Sequence, residues 1–207
     1  STLLTYLEDI EILQNIGNLD NFCMPVQWVN HPNQNFRGFS GTVVAGTVRT
    51  GDKVRILPSE KITHIDRIVT YDGDLDQAIC DQSITLTLKD EVDCSRGQII
   101  ASASSPIQSA DQFETILIWM DDKSLIPGRS YYLKIGTETV SAFISNLKYK
   151  VNVNTMEKIA SKTLNINDIG IANVTTDRSI PFIPYNENRT LGGFILIDKI
   201  TNATVGA

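Results

Sequence analysis

Glycines at positions 38, 41, 46 and 51, set among short apolar and β-branched runs, constrain this chain more than any other feature. Asn35-Phe36-Arg37-Gly38-Phe39-Ser40-Gly41-Thr42-Val43-Val44 is followed by Gly51-Asp52-Lys53-Val54-Arg55-Ile56-Leu57-Pro58. Glycine in a strand costs conformational entropy and packs nothing. It is kept where the strand must bulge, bend sharply or let another backbone approach. Small barrels need such positions at their corners. Gly38 and Gly41 bracket a strand start, and Gly46 lies inside the following run. Gly51-Asp52 predicts a hairpin turn joining strands at 42–48 and 53–57.

The rest of the chain keeps this character. Residues 3–10 predict a helix, capped by Thr2 and striped by Leu3, Leu7 and Ile10. Asn, Gly and Asp at 15–21 end it. Phe22, Met24, Val26 and Trp28 then alternate with Cys23, Pro25 and Gln27. That is a strand with Trp28 in the core or at an interface, and Pro25 puts it at a sheet edge. Ile84, Leu86 and Leu88 alternate likewise. Ser102-Ala103-Ser104-Ser105-Pro106 breaks the pattern and predicts a domain junction. Residues 113–120 are almost continuously apolar, which predicts a strand buried on both faces. Val140, Ala142 and Ile144 share one face, and Leu147 resumes out of phase, predicting a bulge at Ser145-Asn146. Residues 155–161 predict a short helical turn. The fold class is all-β: a helical stub over 1–14, a barrel over 15–105 and a second barrel over 106–207.

Composition excludes several classes of function. Hydrophobic residues make up 42% of 207 and charged residues 20%, enough apolar content for real cores and too much for disorder. There is no apolar run long enough for a membrane helix. A net charge of −6 argues against a nucleic-acid partner, whose phosphates ask for the opposite sign. Three scattered cysteines (Cys23, Cys80, Cys94) fit buried thiols in a reducing cytoplasm. The start, without an initiator Met or a signal-peptide layout, leads us to expect a piece of a longer chain.

No motif carries catalysis or metal binding. Asp72-Gly73-Asp74-Leu75-Asp76 alternates carboxylates, but Gln77 and Ser83 stand where a calcium loop needs Gly and Glu, so a hairpin turn is expected. His31, read as a loop residue, and His64, read as a strand residue, lack the spacing of zinc ligands. Glu91, Asp93 and Arg96 read as a loop salt bridge ahead of Gly97. Asn173, Asn188 and Asn202 each start an Asn-x-Thr triplet, which matters only in secreted proteins.

Arg37-Gly38-x-x-Gly41-x-Val43 and Gly46-x-Val48-x-x-Gly51-Asp52-x-Val54 resemble the second domain of elongation factor Tu-type GTPases. Further blocks resemble, within that superfamily, sulfate adenylyltransferase subunit 1. They include Pro25-Val26-Gln27-Trp28-Val29-Asn30, Asp90-Glu91-Val92-Asp93-Cys94-Ser95-Arg96-Gly97, Pro127-Gly128-Arg129-Ser130-Tyr131 and Gly192-Gly193-Phe194-Ile195-Leu196-Ile197-Asp198. The resemblance runs from about Leu3 to the end. It implies a translation-factor-like barrel, an elongation factor Tu-like C-terminal barrel, and a helical remnant of the GTPase domain. It also implies a role in coupling GTP hydrolysis to adenylyl transfer from ATP to sulfate. The partners it implies are the chain's own GTPase domain and a small catalytic subunit that does the chemistry. Arg37, Gly38, Gly41, Gly46, Gly51, Asp52, Arg96 and Gly97 are its motif residues, expected to be structural or interfacial; no catalytic or metal-binding residue is expected. No Gly-x-x-x-x-Gly-Lys loop, Asp-x-x-Gly or Asn-Lys-x-Asp element occurs, so GTP and its magnesium are expected elsewhere in the parent protein. Two rivals are the tRNA- or ribosome-binding barrels of a translation-type GTPase, and a fusion with an adenylylsulfate kinase after the second barrel.

Overall fold

The structure, a computed structural model, describes residues 3–4, 21–33 and 36–207. Of the predicted N-terminal helix, Leu3 and Leu4 are helical, and the remainder lies outside the described residues. The first barrel comprises an eight-stranded sheet of β1 (Cys23–Pro25), β2 (Trp28–Asn33), β3 (Phe36–Thr42), β5 (Lys53–Leu57), β6 (Lys61–Thr70), β7 (Gly73–Leu75), β9 (Ser83–Leu88) and β10 (Ile99–Ser102), and a separate two-stranded sheet of β4 (Thr47–Arg49) and β8 (Gln77–Ile79). The main path runs β1-β10-β5-β6-β9-β3-β2, with β7 hydrogen-bonded to β6 and β4 to β8. Gln27 N–H donates to Ser40 O at 2.8 Å and Val44 N–H to Cys23 O at 2.9 Å, which draws β1 across to β3 and wraps the sheet. Inward side chains of alternating strands, among them Met24, Phe39, Ile56, Ile68 and Leu86, fill the interior.

Gly41 is the position where this closure needs the absence of a side chain. A Cβ there would collide with the Pro25 carbonyl oxygen and the Met24 side chain. The Gly51-Asp52 turn is real, but it does not join a hairpin. The expected strand at 42–48 stops at Thr42 and resumes only as β4, and β4 pairs with β8. The turn is closed by Arg49 N–H donating to Asp52 Oδ2 at 2.8 Å, and it is anchored to β6 through Gly51 N–H and Ile65 O at 2.8 Å. Gly46 and Gly51 both carry positive φ, 66° and 85°. The Asp72–Asp76 region forms the β6–β7 hairpin, clasped by Arg67 on Asp74 at 2.6 and 3.0 Å.

The second sheet comprises β11 (Gln108–Ile118), β12 (Ser130–Ile135), β13 (Glu138–Val151), β14 (Lys158–Ile159), β15 (Ile169–Phe182), β16 (Phe194–Asp198) and β17 (Thr204–Gly206), with a one-turn helix α1 (Arg189–Gly192) before β16. Its order is β11-β15-β13-β12-β16-β17. Trp119 bridges Gly206, and Ile118 and Ala207 exchange both backbone hydrogen bonds at 2.8 and 3.1 Å. These contacts join the two ends of the path and close the barrel. The predicted bulge stands: the β13–β15 register shifts between Ile144 and Asn146. Residues 155–161 hold strand β14, not a helical turn. Residues 113–120 are buried on one face only, with Leu117 and Trp119 inside and Ile116, Ile118 and Met120 outside. Trp28 is 60% exposed, because β1 ends at Pro25 and the alternation does not carry through. His31 lies in edge strand β2, not in a loop.

Asp198 ties the β16–β17 turn. Its Oδ1 accepts from Ile200 N–H at 2.8 Å, Thr201 N–H at 2.9 Å and the Thr201 hydroxyl at 3.3 Å, and Oδ2 pairs with Arg129. The Thr201 and Ile200 amides, helped by Arg129, hold its pKa below the ordinary carboxylate value of 3.8. A depressed carboxylate stabilises the fold above its unfolded pKa, and that contribution fades as pH falls through the folded value. Asp198→Asn is therefore expected to be less stable at neutral pH and to lose less further stability below about pH 4. Urea midpoints measured at a series of pH values test this; curves that run parallel for the two proteins would contradict it.

Candidate functional site: the seam between the barrels

Where the barrels meet, the contacts come from segments that local patterns present as ordinary strand and turn. β5 alternates, so Val54 and Ile56 go inward and Arg55 outward. Outward here is the linker between the barrels. Arg55 Nη2 donates to Ser105 O at 2.6 Å and Ile107 O at 2.8 Å, and Nη1 pairs with Glu60 at 2.8 Å. Charge-assisted hydrogen bonds of this kind are the strong ones. On the neighbouring side, the Thr137 hydroxyl donates to Val26 O at 3.0 Å. That same carbonyl accepts Gly97 N–H at 3.0 Å.

Gly97 is the closest approach of all. Its φ is +97°, a left-handed conformation, and a Cβ would overlap the Glu138 carboxylate and press on the Glu138 backbone. Glu138 is held in turn by Arg178, whose Nη2 also donates to Thr139 O at 3.1 Å. An apolar cluster completes the seam, with Cys23, Leu57 and Ile99 packed in one group with Ile107, Ile183 and Leu191. α1 contributes Leu191, its N–H accepted by the Asn188 side chain at 3.0 Å. The void left between Gly97, Gly136, Pro181 and Leu191 is about 10 Å³, too small for any ligand. Burial raises the Cys23 thiol well above its ordinary pKa and lifts Cys94 to about 12, so neither is a reactive thiolate.

The remaining motif residues serve the first barrel. Arg37 lies with its guanidinium carbon 5.5 Å from the centre of the Phe39 ring. Gly38 passes beneath the Phe36 ring and against Thr85. Arg96 is exposed, and the expected loop salt bridge does not form with it: Asp93 faces Lys61 at 3.8 Å. Among the eight motif residues, Gly97 is the one that packs against Glu138 of the second barrel. Arg55, Thr137, Glu138 and Arg178 were not legible as seam residues, because nothing local distinguishes an outward arginine in a strand from a solvated one.

A shallow groove of about 300 Å³ on the first barrel is lined by hydroxyls and amides, including Ser40, Ser83, Thr85, Gln27 and Asn30, with Tyr71 at its edge. No charged side chain lines it among the described residues. Nor do the described residues contain a group of three or more side chains fit to hold a metal ion, or a helix long and apolar enough to cross a membrane.

Residues 39–101 match the family described as elongation factor Tu domain 2, and residues 112–207 match the GTP-eEF1A C-terminal domain-like family. The chain is 48% identical over 206 residues to the bifunctional enzyme NodQ of Rhizobium sp. and 45% identical to the bifunctional enzyme CysN/CysC of Xylella fastidiosa. It is 43% identical to sulfate adenylyltransferase subunit 1 of Aliarcobacter butzleri. Each match takes in 100% of the chain, which spans 32–33% of the two bifunctional enzymes and 44% of that subunit. The relatives are thus longer proteins. A crystal structure of Sup35 complexed with GMPPNP superposes with a TM-score of 0.81 over 99% of the chain and 50% of that protein, at 20% identity, a likeness of fold.

Proposed function

We propose, starting from homology to sulfate adenylyltransferase subunit 1 along the whole chain, that these two barrels are the coupling and scaffold part of a GTP-regulated sulfate adenylyltransferase. In this reading residues 15–105 and 106–207 are its second and third domains. The reaction served is the transfer of an adenylyl group from ATP to sulfate, giving adenosine 5'-phosphosulfate and pyrophosphate. A small catalytic subunit performs the transfer, and GTP with its magnesium binds a GTPase domain outside residues 1–207.

The observation that carries the proposal is the seam. Arg55, Gly97, Thr137 and Glu138 join the barrels through part-buried hydrogen bonds and one close backbone approach that leave little room for sliding. Packed elements of this kind transmit displacement as a body. A change at the face touching a GTPase domain would reach a partner on the second barrel. The uncharged groove gives no support to the tRNA-binding alternative, which needs cations against phosphate.

Sedimentation velocity of the purified chain mixed with its cognate catalytic subunit tests the scaffold role. A complex heavier than either component is expected. Two independent boundaries at micromolar concentrations would overturn it.

A further inference from the structure

We draw no further inference here: the strongest candidate, the shallow uncharged groove across β3, β9 and the end of β6 on the first barrel, carries nothing, because its Ser40 and Thr85 hydroxyls satisfy each other at 2.8 Å and nothing in the structure shows what fills it.

Discussion

Gly97→Val is expected to destabilise the chain by about 3 kcal/mol and to loosen the seam. Two effects add. A β-branched residue at φ +97° sits in a conformation that L-residues avoid, and its Cβ falls on the Glu138 carboxylate and against the Glu138 backbone. Glu138 cannot retreat freely, because Arg178 holds it. Moving the loop instead would break the Gly97 bond to Val26 O, which the Thr137 hydroxyl shares. Limited proteolysis between residues 103 and 107 should accelerate as the linker loses its cover. Urea unfolding should begin at lower denaturant than in the wild type as the barrels part. A single transition at the wild-type midpoint would contradict the account of the seam.

Trp119→Ala is expected to cost about 4 kcal/mol. The side chain is fully buried and packs edge to face on Tyr131 at 5.8 Å. Its indole N–H donates to Lys123 O at 2.7 Å, so truncation leaves a cavity and an orphaned carbonyl. Its backbone also closes the barrel, bridging Gly206 and donating to Asp168 O at 3.0 Å. The damage should be confined to the second barrel. Hydrogen exchange should show faster exchange along β11, β15 and β17 while β5, β6 and β9 remain protected. Uniform loss of protection in both barrels would show that they unfold as one unit.

The parts of this fold that were legible in the sequence are those set by local physics. Alternation placed Ile84 and Leu86 inside, and the phase slip from Ile144 to Leu147 announced the bulge of β13. The glycine pattern marked Gly41, where β1 crosses β3. What failed was decided at long range. Residues 42–48 look like one strand, yet the chain leaves the sheet after Thr42 so that β4 can pair with β8. Residues 113–120 look doubly buried because their outer face is apolar too, with Ile116, Ile118 and Met120 standing exposed. Trp28 continues a period of two that the chain itself abandons at Pro25. The seam was the least legible: Arg55 binds carbonyls 50 and 52 residues away, and no local pattern encodes that.

The central claim is that the barrels carry the state of a GTPase domain to a catalytic subunit. It is tested most directly in the longer protein, assembled with that subunit, by measuring GTP hydrolysis and adenosine 5'-phosphosulfate formation in one sample. Gly97→Ala, the milder replacement, is the variant to use. The account predicts a folded protein that still hydrolyses GTP at close to the wild-type rate while GTP-dependent adenosine 5'-phosphosulfate formation falls by roughly tenfold. A folded variant that opens the seam and keeps the wild-type ratio of the two rates would contradict it.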